Sequence, residues 1–139
     1  MDTLNILLVE DNEFDMLITQ EILEPSRILR SLNSVSTAEE AILYLNRAVP
    51  FATVEKPDLI LLDLNLPKTN GFAVLVEAKS NPELMHIPVI ILTSSTSVND
   101  KNFAVRNGAD AYMEKPLEIG PLKSFLRERT QFDNLLRAN

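Results

Sequence analysis

Three apolar runs, residues 6–9, 59–62 and 89–92, are each four residues long, rich in branched side chains, and followed at once by a polar residue: Glu10, Asp63 and Thr93. A run this short with no polar position inside it suits a strand buried on both faces, the situation of a parallel sheet covered by helices. Weaker runs at residues 29–35 and 111–113 fit edge strands of the same sheet. Between the runs the period becomes helical. Phe14, Leu17, Ile18 and Ile22 follow it, as do Ala38, Ala41, Ile42 and Leu45. Further helices are predicted around Phe72, Val76 and Lys79, around Phe103 and Ala104, and around Leu122, Phe125, Leu126 and Arg129. Ser97, with Asp100 three residues later, is placed to cap the fourth helix, and Gly108 to stop it.

Five strand–helix pairs in alternation imply right-handed crossovers and a doubly wound α/β sheet. In the flavodoxin-like strand order 2-1-3-4-5, ligands sit outside the carboxyl ends of the strands at the topological switch point, here between the first and third strands. Glu10, Asp11 and Asp63 converge there. Thr93 and Lys115, at the ends of the fourth and fifth runs, form the opposite wall of the same cleft.

A chain of 139 residues with 45% hydrophobic content is expected to form one domain, residues 1–139, with no separate output domain. Residues 47–57, with Pro50 and Pro57 and no clear period, are expected to be a long surface loop. Twenty acidic against thirteen basic residues leave a net charge of -7, which disfavours a nucleic-acid backbone or an anionic membrane as partner. There is no cysteine for disulfides or thiolate metal sites. The acidic Met1-Asp2 start lacks the basic region of a secretory signal, and no apolar run nears the roughly 18 residues of a membrane span. A cytoplasmic location is expected.

The cleft residues suit phosphoryl chemistry. Asp63 lies at a strand end just before a turn, where a carboxylate nucleophile is accessible. A carboxylate approaching a phosphate meets like charge, which a divalent cation such as Mg2+ or Mn2+ held by neighbouring acids would offset. Glu10 and Asp11 can supply those acids, although Asp11 alone also reads as a helix N-cap. The Thr93 hydroxyl and Lys115 ammonium can both bind a phosphoryl oxygen. Taken singly, Thr93 reads equally as an ordinary strand former and Lys115 as a solvated surface lysine.

In combination these stretches resemble the response-regulator receiver domains of two-component signalling, over essentially the full chain. Leu8-Val9-Glu10-Asp11-Asn12 is similar to the acidic-pair motif, and Leu61-Leu62-Asp63-Leu64-Asn65-Leu66-Pro67, with Gly71 after it, to the phosphoacceptor motif. Leu92-Thr93-Ser94 and Glu114-Lys115-Pro116 are similar to the hydroxyl and lysine motifs. The resemblance implies that Asp63 accepts a phosphoryl group from a sensor histidine kinase or phosphotransfer protein. It implies Mg2+ or Mn2+ held by Asp11, Asp63 and the backbone carbonyl of Asn65, with Glu10 acting through water. A cis bond before Pro116 follows from the same resemblance and is accessible because proline makes cis cheap.

Tyr112 stands where the family carries its switch aromatic. The resemblance implies that it turns inward when Thr93 moves toward the phosphoryl group, altering a surface built from the fourth helix, fifth strand and fifth helix. An edge-strand tyrosine with a hydrated hydroxyl is the plainer reading. Asn65 and Ser95 occupy the family's lifetime-tuning positions, and neither is a strong base, so slow self-dephosphorylation is expected. The chain would thus assist its own phosphorylation and dephosphorylation without being an enzyme for other substrates.

His86, the sole histidine, reads as a loop residue, so phosphohistidine must come from a partner. Near the end, Leu122, Phe125, Leu126, Phe132, Leu135 and Leu136 keep helical spacing beyond what one core-facing helix needs, compatible with packing on the domain, a homodimer or a partner-helix site. The output would be an unidentified protein. The loop and the Asp63-Leu64-Asn65-Leu66-Pro67 stretch are similar to single-domain regulators that serve phytochrome-type kinases. A haloacid dehalogenase-type phosphatase, which also uses a strand-end aspartate, needs a second aspartate where Asn65 stands. A pseudo-receiver would lack an acid or the lysine, and none is lost.

Overall fold

The computed structural model describes residues 3–66 and 70–138, with side chains described as far as residue 129. Strands β1 (Leu4–Val9), β2 (Leu29–Val35), β3 (Leu59–Leu62), β4 (Val89–Thr93) and β5 (Ala111–Glu114) form one parallel sheet in the order β2-β1-β3-β4-β5. Helices α1 (Glu13–Leu23), α2 (Ala38–Leu45), α3 (Phe72–Ser80), α4 (Val98–Arg106) and α5 (Ile119–Ala138) follow the strands in turn. This is the flavodoxin-like architecture that the alternating periods predict, with the two weak runs at the two edges.

The continuous apolar runs exist because both faces of the inner strands are covered. Leu7, Val9, Ile60, Leu62, Val89 and Ile91 face a core shared with α2, α3 and Ala104 of α4. Their neighbours Ile6, Leu8, Leu59, Leu61, Ile90 and Leu92 face Leu23 of α1 together with Leu122 and Leu126 of α5. Alternation thus survives as a division between two cores, and neither face of β3 tolerates a polar residue.

Local signals set the helix ends. The Asn12 side chain accepts from the Asp15 N–H at 2.9 Å and caps α1, so Asp11 is released from the capping role that its position also permits. Thr37 caps α2 by accepting from the Glu40 N–H, and the Glu40 carboxylate accepts the Thr37 hydroxyl and the Ser36 N–H in return. Ser97 caps α4 through the Asp100 N–H, and Gly108 follows that helix at φ +93°, a left-handed conformation that favours glycine.

Residues 46–58 form the expected long loop, pinned by the packing of Phe51 on Tyr44 at 5.2 Å. β1 begins two residues before its apolar run because the Leu4 N–H donates to the Ile28 carbonyl at the start of β2. At the amino end of the sheet, Asp110 pairs with Lys79 at 2.7 Å and Arg129 at 3.1 Å while accepting from the Val89 N–H, tying α3 and α5 to β4 and β5. His86 is exposed in the loop before β4. Pro67 and the side chains of Phe132, Leu135 and Leu136 lie outside the described residues.

Candidate functional site

Parallel register carries the chemistry-bearing residues to one edge. Val9 pairs with Leu62, and the Asp63 N–H donates to the Val9 carbonyl at 3.0 Å, so Asp63 continues just beyond β3 beside Glu10. Thr93 closes β4, and the Lys115 N–H donates to its carbonyl at 3.0 Å. Four stretches far apart in sequence therefore end side by side.

Asp63, only 4% exposed, is held by three donors. Its Oδ1 accepts the Thr93 hydroxyl at 3.0 Å and the Asn65 N–H at 3.0 Å, while its Oδ2 accepts the Lys115 ammonium at 2.8 Å. Glu10, 1% exposed, lies 2.5 Å from the Lys115 Nζ and accepts the Asn12 N–H at 3.2 Å. Asp11 is exposed at the mouth. Among the described residues, no buried side-chain nitrogen or oxygen lacks a partner.

These contacts separate the titrations of the two buried acids. Burial penalises the charged form of both. For Asp63 the bonds from Lys115, Asn65 and Thr93 overcome that penalty and hold its carboxyl below the usual range. For Glu10 burial prevails over Lys115 and the Asn12 N–H, and its carboxyl is pushed up. Burial also opposes the charge on Lys115, but Asp63, Glu10 and Asp15 outweigh it and hold the ammonium well above the ordinary lysine range. At neutral pH Lys115 is a fixed cation facing an ionised Asp63.

Carboxylate oxygens of Glu10, Asp11 and Asp63 lie within 4.8 Å of one another. Clustered hard oxygen donors, with one member open to solvent, suit Mg2+ or Mn2+ rather than a thiophilic metal. The donor set fits such an ion, and the like charges that crowd there are offset on one side by Lys115.

From Asp63 a chain of hydrogen bonds runs toward α4. The Asn65 side-chain amide reaches the Thr93 hydroxyl at 3.5 Å, and the Ser95 N–H donates to the same oxygen at 3.3 Å. Half-buried Tyr112 donates its hydroxyl to the Ser95 carbonyl at 3.2 Å, and the Ser95 hydroxyl donates to Asp100 in the first turn of α4. The Lys115–Pro116 peptide bond is cis. Two members of this network are absent from the sequence-based set. Asp15 accepts from Lys115 at 2.9 Å, and nothing in its spacing marked it, because it lies among polar positions in the first turn of α1. Asp100 was visible only as a helix-capping partner.

A crevice at the switch point of a 2-1-3-4-5 sheet, with clustered acids and a fixed cation around one buried aspartate, defines an α/β domain whose charges suit a divalent cation and an anionic group. The chain belongs to the response regulator receiver domain family, whose pattern matches residues 6–127. Such domains are phosphoacceptor switches of two-component systems. Response regulator Rcp1 of Synechocystis sp. is 39% identical over 117 residues, covering 84% of this chain and 80% of that protein. The phosphorylated cyanobacterial phytochrome response regulator RcpA superposes with a TM-score of 0.78 at 36% identity, covering 94% of this chain and 93% of that one. The Mn2+-bound form of Rcp1 superposes equally well, with a TM-score of 0.78 at 36% identity and 88% of each chain covered. No described helix is long and apolar enough to cross a membrane.

Proposed function

We propose that Asp63 is the phosphoacceptor of a single-domain response regulator that controls another protein by reversible surface change. The observation that carries this reading is the grip on Asp63: a buried, ionised carboxylate whose two oxygens face a hydroxyl and an ammonium that can pass to an arriving phosphoryl group. In phosphotransfer an Asp63 oxygen forms a bond to phosphorus as the bond from phosphorus to the histidine nitrogen breaks, and the electron pair leaves with the imidazole. A bound Mg2+ or Mn2+ would supply charge neutralisation between the acids and the phosphoryl oxygens, with Glu10, Asp11, Asp63 and the Asn65 carbonyl as its holders. Lys115 holds the transferred group by charge, and Thr93 by its hydroxyl.

The Thr93, Ser95 and Tyr112 chain supports a route outward. Movement of the Thr93 hydroxyl toward the new oxygens disturbs Ser95, whose carbonyl Tyr112 holds and whose hydroxyl Asp100 accepts, and so the start of α4. Val98, Phe103 and Val105 of α4 are exposed and available to an output partner or a second copy. The likeness to phytochrome response regulators supports a phytochrome-type histidine kinase as the phosphoryl source. Incubation with Mg2+ and acetyl phosphate tests the core reading. One phosphoryl group per chain is expected on the wild type and none on Asp63→Asn; persistent labelling of the variant would refute the assignment.

A further inference from the structure

Lys115 is gripped from three sides, and one grip comes from a residue outside the phosphoryl and metal sets. Its Nζ lies 2.5 Å from Glu10, 2.8 Å from Asp63 and 2.9 Å from Asp15. An ammonium has three N–H donors, and here each faces a carboxylate. Asp15 sits in the first turn of α1, and its carboxylate reaches across to the Lys115 ammonium at the mouth of the cleft. It is not one of the acids whose oxygens cluster for a cation.

That geometry creates a competition. A phosphoryl group on Asp63 would take over the N–H that Asp63 now accepts, while the other two stay directed at Glu10 and Asp15. A cation at Glu10, Asp11 and Asp63 would satisfy two of the lysine's three acceptors, leaving Asp15 as the partner that keeps a full claim on the ammonium. Its carboxylate also opposes the approach of another anion at short range. A surface ion pair of this length is ordinarily worth little, but here the lysine side chain is only 15% exposed and its position decides what Asp63 meets.

We propose that Asp15 is a positioning residue that draws the Lys115 ammonium toward α1 and competes with the incoming phosphoryl group for it, setting how readily the site loads. The proposal rests on the reading of Asp63 as phosphoacceptor. Asp15→Asn keeps the size and removes the charge, so Lys115 is released to the phosphoryl oxygens.

The test is beryllofluoride affinity of the full chain in saturating Mg2+, measured by fluorine NMR titration, for the wild type, Asp15→Asn and Asp15→Ala. Both variants are expected to bind about fivefold more tightly than the wild type, and to load from acetyl phosphate faster by a similar factor. The gap should narrow as salt rises from about 0.1 to 1 M, because the competing charge is partly exposed. Equal or weaker binding by the variants, or a gap indifferent to salt, overturns the role of Asp15 while leaving Asp63 as acceptor. Failure of the wild type itself to bind the analogue overturns both.

Discussion

The Thr93 hydroxyl donates to Asp63 Oδ1 across 3.0 Å, and the same hydroxyl oxygen accepts the Ser95 N–H at 3.3 Å. One rotor therefore reads the acceptor carboxylate on one side and the β4–α4 loop on the other. Thr93→Val keeps the shape and removes the rotor's polarity. The variant is expected to bind beryllofluoride with Mg2+ several-fold more weakly, by about 1 kcal/mol, and to leave the Tyr112 ring signals unmoved in NMR. Thr93→Ser should retain both responses. Tyr44, packed on Phe51 away from the cleft, is the internal reference. A Tyr112 shift of wild-type size in Thr93→Val would break the proposed link.

Phosphoryl lifetime depends on what can activate water beside Asp63. Asn65 is exposed, its N–H is spent on Asp63 Oδ1, and its amide cannot take a proton. Ser95 directs its hydroxyl to Asp100 instead of the cleft. Self-dephosphorylation is expected to take many minutes or longer, and Asn65→Asp to shorten it about tenfold or more by introducing a general base. Decay of acetyl phosphate-loaded protein measures both; a wild-type half-life of seconds would contradict the account.

Gly71 approaches the acceptor loop so closely that a side chain has no room. A Cβ there would lie 2.5 Å from the Asp63 carbonyl oxygen and 2.8 Å from the Leu64 Cα, both backbone atoms that cannot swing aside. Its φ of -57° is ordinary, so the constraint is space alone. Gly71→Ala is expected to cost about 2–3 kcal/mol in urea denaturation and to weaken Mg2+ binding by displacing Asp63. Unchanged stability would mean that the loop yields without strain.

The legibility of this molecule follows the strength of local constraint. The inner strands declared themselves because burial on both faces forbids polar residues between Leu59 and Leu62. Glu10, Asp63 and Thr93 were visible as the polar stops of those runs. Lys115 follows β5, whose residues are half-buried or exposed, so its place in the cleft was legible through the Lys115-Pro116 resemblance and hardly from pattern. Asp11 and Asn12 are both good capping residues, and spacing could not choose between them. Asp15 sits among charged helix positions that normally face water, and only the fold shows that α1 turns it toward Lys115.

The two buried acids titrate in opposite senses, which predicts a pH signature in chelator-treated protein. The raised Glu10 favours its protonated form in the fold. Its stabilising contribution is complete below the ordinary carboxylate range and lost as pH rises through its folded value. The depressed Asp63 contributes above the ordinary range and loses that contribution as pH falls through its folded value. Glu10→Gln should therefore stabilise the metal-free protein at pH 7, with the gain vanishing as pH falls into the carboxylate range. Mg2+ affinity should drop in the same variant. A loss of stability at pH 7 would show that the ionised pair with Lys115 outweighs burial.

Lys115 and a divalent cation answer the same negative charge, so each should mask the loss of the other. Lys115→Met leaves Glu10 and Asp63 buried without their cation and Asp15 without its partner. Without metal the variant is expected to lose about 3 kcal/mol of stability, the scale of a buried charge left unpaired. Saturating Mg2+ should recover a large part of that loss, because binding to the native state alone adds stability as affinity rises, and affinity should increase about tenfold once the competing ammonium is gone. Urea denaturation with chelator and with Mg2+ measures both halves of the cycle. Equal losses under the two conditions would mean that metal and lysine act on the acids independently, and would remove the competition on which the reading of the cleft's charge balance depends.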